Sequence, residues 1–119
     1  MTYVPSSAGL DGLTDGRPEI WATPVTPAAN SPAVVTIAAV ADASVRIQRV
    51  LYSYSDIPTG GRITIAIGGT TVLDLDTADS GPAALPIEKP IRAGVNEAVV
   101  ITLAAGGSGI VGKLNVQYA

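Results

Sequence analysis

The stretch RITIAIGGTTVLDLD, residues 62–76, decides the fold class of this chain. Apolar and polar residues alternate before and after the Gly68-Gly69 pair. Alternation with a period of two predicts β-strands with one buried face, and a Gly-Gly pair between two such runs predicts a hairpin. The stretch therefore indicates an antiparallel β-structure.

The register of this hairpin follows from which apolar residues must share the buried face. A two-residue loop would leave Leu73 and Leu75 on the face opposite the isoleucines. A three-residue loop, residues 68–70, instead pairs Ile65 with Leu73 and Ile63 with Leu75. We therefore predict the three-residue loop, with a glycine in its left-handed position.

Runs of the same kind continue outward in both directions, separated by glycines and prolines at spacings of roughly ten residues. No stretch predicts a helix of useful length. The predicted strands are Ile20 to Val25, Ala33 to Val40, Val45 to Ser55, Arg62 to Ile67, Thr71 to Asp76, Ala83 to Ile87, Glu97 to Leu103 and Ile110 to Tyr118. About eight strands suit an all-β antiparallel sandwich, either a jelly roll or a related Greek-key fold.

The ends of the chain differ in their predicted organisation. Residues 1–18 are rich in Ser, Gly, Asp and Pro without periodicity, so we predict an extended N-terminal arm there and a β-sandwich domain over residues 19–119. At the other end, a hairpin across residues 104–109 would set Leu103 opposite Ile110 and Val99 opposite Leu114. The last strand is therefore expected to be paired.

The long third run shows a phase slip. Val45 and Ile47 point to one side, whereas Val50 and Tyr52 continue with the opposite parity. An extra residue that shifts the parity of a strand is a β-bulge, so we predict a bulge or bend near Gln48.

Composition excludes several classes of function. The chain has no Cys and no His, which removes disulfides, thiol nucleophiles, Cys/His zinc sites and imidazole acid–base chemistry. Ten acidic and seven basic residues give a net charge of -3, so no basic surface for nucleic acid is expected. Charged residues make up 14% against about 25% in an average domain, which suggests that other subunits cover part of the surface. The N-terminal residues lack the pattern of a signal peptide and no apolar run approaches a membrane span, so we expect synthesis in a cytoplasm without export.

Two motifs suggest chemistry, and each has a plainer interpretation. Residues 107–112 match the dinucleotide-binding pattern, but only seven residues follow them, too few for the helix that this motif requires. Asp74, Asp76 and Asp79 could form a weak surface Ca²⁺ site, or they could be a solvated strand face followed by a turn, with Arg62 opposite Asp76. No carboxylate lies in an apolar run that would raise its pKa. We therefore predict a protein that is not an enzyme and has no cofactor.

The aromatic and arginine residues are the candidate contacts to a partner. Trp21 is expected to be a core or interface residue, and the alternative is a sugar-stacking platform formed with the tyrosines. Arg46, Gln48 and Arg49 form a polar stripe that suits ion pairing with a neighbour. The complete set of candidate partner or oligomer contacts is Tyr3, Val4, Leu10, Leu13, Trp21, Arg46, Arg49, Tyr52 and Tyr54.

The whole pattern resembles a known family. A polar arm, Ile-, Val- and Ala-rich strands with Gly-Gly and Gly-Ser turns, and the ending GKLNVQY at residues 112–118 are similar to small jelly-roll structural proteins of tailed bacteriophages, especially the decoration (cement) proteins of the head. The resemblance covers about residues 20–119 and implies a homo-oligomer, commonly a trimer, that binds the major capsid protein or another virion component. It implies a location in the virion after synthesis in the host cytoplasm. A carbohydrate- or receptor-binding module of a tail or fibre is the alternative.

Overall fold

A computed structural model describes residues 20–87 and 89–119, so the predicted arm lies outside the described residues. Strands and turns make up this part of the chain, and it contains no helix, as predicted. The strands are β1 (Ile20–Trp21), β2 (Ala33–Ile37), β3 (Arg46–Tyr54), β4 (Arg62–Ile67), β5 (Thr70–Asp76), β6 (Ala83–Ala84), β7 (Ile91–Arg92), β8 (Val99–Leu103) and β9 (Gly112–Tyr118).

The strands form two antiparallel sheets that pack as a sandwich. One sheet has the order β1-β9-β3, with β6 and β7 both paired to the far side of β3, and the other has the order β2-β8-β4-β5. When β6 and β7 are counted as one interrupted strand, this is the order of a jelly roll, in which early and late strands pair at the centre of each sheet. The predicted fold class is confirmed.

Inward-facing residues of both sheets form one core. In β2 and β8 every second residue is buried, which is the alternation expected of strands with one solvated face. The row Val35, Ile101 and Ile65 crosses three adjacent strands and is at most 5% exposed. Residues from the facing sheet, such as Val50 and Val116, complete the core.

Two of the predicted strands are reduced to two residues each, and one short strand was missed. The first predicted strand is regular only at β1, although Val25 still bridges Leu114, and the sixth shortens to β6. Strand β7 was not predicted. Prolines have no N–H to donate to a neighbouring strand, and Pro24, Pro86 and Pro90 lie beside these short elements.

The β4–β5 hairpin combines the two loop alternatives. Its turn is the two-residue Gly68-Gly69, with Ile67 opposite Thr70, so the predicted three-residue loop is wrong. The predicted pairs of Ile63 and Ile65 with the two leucines are nevertheless present. A register shift after Ile65 inserts Val72 as an extra residue, which keeps Leu73 and Leu75 on the same side as Ile63 and Ile65. On this edge strand Leu73 is only partly buried and Leu75 is 42% exposed, so the expected burial of both leucines is not reached.

Gly69 gives a testable consequence of this turn. Its φ is 87° and an added Cβ would meet no atom within 4 Å, so a side chain there is opposed by backbone strain alone. Gly69→Val is expected to lower the free energy of unfolding by about 1 to 2 kcal/mol, because β-branched residues disfavour the left-handed region. Gly69→Asn is the matched control, since Asn tolerates that region, and urea denaturation compares the two. Equal losses would contradict the turn geometry.

The bulge predicted in the third run is confirmed. In β3, Ile47 lies opposite Tyr118 whereas Arg49 lies opposite Gln117, so Gln48 is the extra residue. Both parts of the strand therefore present apolar side chains to the core.

The predicted hairpin between the last two strands is wrong. Strand β8 pairs with β2 and β4, whereas β9 pairs with β1 and β3 in the opposite sheet. The two strands face each other across the core, because a Cβ added at Gly112 would lie 3.0 Å from Cδ2 of Leu103. Residues 104–109 are long enough to cross the roughly 10 Å between packed sheets. The expectation that the last strand is paired is confirmed, since β9 lies between β1 and β3.

Candidate functional site

A row of exposed side chains crosses the outer face of the sheet that contains β9. Trp21 lies opposite Gln117, and Gln117 lies opposite Arg49, so the three residues occupy adjacent positions on β1, β9 and β3. Residues that are directly opposite in antiparallel strands project to the same face. Trp21 is 48% exposed and Arg49 is also exposed. We call this set the Trp21 row; it places an aromatic ring beside an amide and a guanidinium.

A shallow hollow of about 380 Å³ adjoins the Trp21 row at Arg49. It forms because β7 pairs with β3 at Arg46 and Ile47, and β6 pairs with β3 at Leu51 and Tyr52. Between these two contacts the chain leaves the edge of β3, and Pro86 and Pro90 there have no N–H to donate. The bulge residue Gln48 also lines the hollow. Among the described residues that line it, only Gln48 and Arg49 have side chains with hydrogen-bonding groups.

Two of the candidate contact residues are buried within the chain. Tyr54 is 5% exposed, packs in the core and donates a hydrogen bond from its hydroxyl to the carbonyl of Ala104 at 2.7 Å. Arg46 is 4% exposed, and its backbone exchanges hydrogen bonds with Ala119. The expectation that these two side chains contact a partner is therefore corrected. Tyr52 is half-buried and packs against the core.

The remaining candidate contact residues lie in two different parts of the chain. Trp21 and Arg49 both belong to the Trp21 row, on the two sides of Gln117. Trp21 was expected in the core or at an interface. Nearly half of it is exposed, so it is not a core residue, and the interface interpretation stays a prediction. The arm residues Tyr3, Val4, Leu10 and Leu13 lie outside the described residues.

One of the two acidic residues of β5 forms an ion pair with an arginine of β4. Although Arg62 lies opposite Asp76 as predicted, its guanidinium binds the carboxylate of the diagonal neighbour Asp74, with Nε to Oδ1 at 2.7 Å. This hydrogen bond, together with the positive charge, lowers the pKa of Asp74 below its ordinary value of 3.8. The stabilisation by the pair is present above that ordinary pKa and is lost as the pH falls through the lowered one. Both groups are exposed, so the effect is small.

A Ca²⁺ site at Asp74, Asp76 and Asp79 receives no support from this arrangement. Arg62 already neutralises Asp74, and Asp79 follows the end of β5 in a loop. Across residues 20–87 and 89–119, no cluster of three or more Asp or Glu side chains is arranged to hold a metal ion. The same residues include no helix that is long and apolar enough to span a membrane.

A surface poor in charge was not identified from the sequence. It borders the Arg62–Asp74 ion pair, since Arg62 is the first outward residue of β4 and Asp74 lies opposite Thr64. The other outward residues of β2, β8 and β4 are Val34, Thr36, Val100, Thr102, Thr64 and Ala66, and each is at least partly exposed. In the sequence, the segments of β2, β8 and β4 each have the pattern of an ordinary amphipathic strand, with mostly Val or Thr on the outer side. Only the register places these positions side by side, and we call them the Thr/Val face.

Comparisons of the chain with protein-family models, with curated proteins and with solved structures find no match. The functional argument therefore depends on the two surfaces described above. The Trp21 row and the Thr/Val face lie on opposite outer sides of the sandwich, because they belong to different sheets.

Proposed function

We propose that this chain is a virion structural protein, most specifically a decoration or cement protein that binds between capsid subunits of a bacteriophage head. The observation that carries the proposal is the Thr/Val face. Apart from the Arg62–Asp74 ion pair at its border, this surface of three adjacent strands carries no charged side chain, so it costs little to desolvate and favours contact with another protein. The jelly-roll order and the low charge content agree with the family that the sequence resembles.

In this proposal the chain acts by reinforcing the contacts between capsid subunits. Burial of β-branched side chains against a neighbouring subunit stabilises the contact in proportion to the apolar area removed from water. The predicted N-terminal arm adds reach, since a segment that orders on binding can wrap a neighbour at an entropic cost. As a homo-oligomer, with a trimer favoured by the family resemblance, each particle-bound unit would hold several capsid subunits at once. The proposal requires no catalytic residue, cofactor, nucleic acid or membrane.

The experiment compares particles of the virus that encodes this chain, made with and without its gene. Particles that lack the chain are expected to release their DNA at a lower temperature, and purified chain added back is expected to restore the release temperature. Thr64→Glu and Thr102→Glu together place two buried charges in the proposed contact and are expected to prevent restoration. Absence of the chain from purified particles, or full restoration by the double variant, would overturn the proposal.

The Trp21 row favours a second candidate, a carbohydrate- or receptor-binding module of a tail or fibre. An exposed indole stacks on the apolar face of a sugar, and the neighbouring Gln117 and Arg49 supply hydrogen-bond donors and an acceptor. The chain has one Trp, so its fluorescence reports on this site alone. Quenching by members of a glycan panel that is lost in Arg49→Ala supports the module. An unchanged signal across the panel contradicts it.

A further inference from the structure

The four sheet edges of the sandwich differ in how they are protected against pairing with another strand. Unpaired edges expose backbone N–H and C=O groups, and proteins block them with short strands, prolines, charges or bulges. The edge at β1 is two residues long and is followed by Pro24. The opposite edge of that sheet consists of β6 and β7, two residues each, with Pro82, Pro86 and Pro90 around them.

In the second sheet, the β5 edge is better protected than the β2 edge. Strand β5 carries the bulge at Val72 and the charges of Asp74 and Asp76. Strand β2 is five residues of AVVTI in regular register, and no charged residue occurs from Ser31 to Ala41. Within the described parts of the chain, β8 is the one strand that pairs with β2. Pro32 precedes β2, but the strand itself contains no proline, charge or bulge, so the β2 edge is the least protected of the four.

The backbone groups that β2 presents at its open edge can be identified from the hydrogen bonds of β8. Ala104 donates to the carbonyl of Arg62, and the carbonyl of Ala98 accepts from Gly68, so the even-numbered residues of β8 direct their backbone groups to β4. The odd-numbered residues of β8 consequently bond to their partners at positions 33, 35 and 37 of β2. By the same alternation, the N–H and C=O groups of Val34 and Thr36 point to the open edge.

We propose that the β2 edge pairs with β2 of a second copy of this chain. The pair is antiparallel, with Val34 opposite Thr36 of the second copy and a two-fold axis beside Val35. Each of the two equivalent pairs exchanges both of its N–H···O bonds, about four bonds in total. This register overlaps the complete strand, and it joins two four-stranded sheets into one.

A second copy fits this edge better than a strand of other composition because of charge. A two-fold axis brings two copies of the same strand together, so charges of one sign in a self-pairing strand come close to like charges of the second copy. The chain carries a net charge of -3, and self-pairing through β5 would bring its aspartates together. Strand β2 is without charge, and Val34, which is 41% exposed, would pack against the methyl group of Thr36 from the second copy.

The contact is expected to be weak in dilute solution. One five-residue edge buries far less than the roughly 1,600 Å² of a standard interface. Such a contact becomes effective when another attachment raises the local concentration. A two-fold contact does not close a trimer, so in a larger assembly it joins one oligomer to the next. The inference depends on this strand edge alone and does not rest on the proposed virion function.

Amide hydrogen exchange of the full chain, measured by NMR over a range of concentrations, is the deciding experiment. The amides of Val34 and Thr36 are expected to exchange fast in dilute solution and to become protected as the concentration rises. The amide of Val35, bonded to β8, is the internal control and is expected to be protected throughout. Protection of Val34 and Thr36 that is absent at every concentration overturns the proposal. Protection that is already complete in the dilute monomer also overturns it, because the chain's own residues would then cover the edge.

Sedimentation equilibrium of two lysine variants provides the second test. Thr36→Lys places a charge next to the proposed axis, opposite Val34 of the second copy, and is expected to weaken the association by about tenfold or more. Asn115→Lys introduces the same charge on the outer face of the central strand β9, away from the Thr/Val face, and is the matched control, expected to associate like the parent chain. Association that is unaffected by Thr36→Lys, or weakened more by Asn115→Lys, overturns pairing through the edge.

Discussion

Replacement of Ile101 by alanine is expected to lower the free energy of unfolding by about 2 to 5 kcal/mol. Ile101 is fully buried at the middle of β8, between Val35 of β2 and Ile65 of β4. The substitution removes three carbon atoms, and the strands on both sides are held by their ladders, so the cavity cannot close easily. Urea denaturation would show a lower midpoint with an unchanged m-value. The loss is a large fraction of the stability of a typical domain.

Thr102 provides the control for this prediction. It is the next residue of the same strand and projects to the partly exposed outer face. Thr102→Ala is expected to cost less than about 1 kcal/mol, because only strand preference and outer-face contacts change. If both variants lost the same stability, the assignment of inner and outer faces of β8 would be wrong.

Replacement of Gly61 by alanine is expected to lower the free energy of unfolding by about 1 to 3 kcal/mol through overpacking. An added Cβ would lie 2.5 Å from the carbonyl oxygen of Thr77 and 2.9 Å from Cγ of Pro58, and it would also contact Oγ1 of Thr77. The carbonyl of Gly61 accepts a 3.0 Å hydrogen bond from the amide of Thr77, so the two backbones cannot separate without losing that bond. Urea denaturation again provides the measurement.

Gly112→Ala is the matched control for Gly61→Ala. Its added Cβ would lie 3.0 Å from Cδ2 of Leu103, the end of a flexible side chain that can move by a few tenths of an ångström. The loss of chain entropy in the unfolded state also partly offsets the contact. We expect a smaller loss at Gly112 than at Gly61. The reverse order would show that residues 61 and 77 are further apart than described here.

The β4–β5 hairpin shows how much of a register the sequence determines. The expectation that both leucines share the face of the isoleucines was enough to predict their pairing with Ile63 and Ile65, because a slip of one residue moves them to the other face. The same requirement could not separate a three-residue loop from a two-residue loop followed by a bulge, since both shift the strand by one residue. The left-handed φ of Gly68 and Gly69 decides for the second solution.

The alternation of apolar residues could not predict whether β8 and β9 pair in one sheet. Two consecutive apolar strands joined by a short loop bury the same residues whether they pair in one sheet or face each other from two sheets. Alternation reports which side of a strand is buried, and it does not report which strand lies beside it. The prediction of a hairpin at residues 104–109 failed for this reason.

For the candidate surfaces, too, residue type predicted one part and the strand register decided the rest. Trp21 and Arg49 were identified as contact residues by type alone, and the register then placed them in one row with Gln117. Type alone also selected Tyr54, whose burial depends on the residues that β9 and the 104–109 loop bring to it. The Thr/Val face was missed because it belongs to three strands that are far apart in the sequence.

The sequence by itself determined the all-β class, the main strands, the bulge at Gln48 and the lack of Cys and His chemistry. These properties follow from local alternation, turn residues and composition, which need no knowledge of distant neighbours. Only the tertiary structure decided the jelly-roll order, the open β2 edge and the two candidate surfaces. Those depend on which strands pair across large separations in sequence, and strands of similar composition satisfy the burial of apolar residues equally well in several orders.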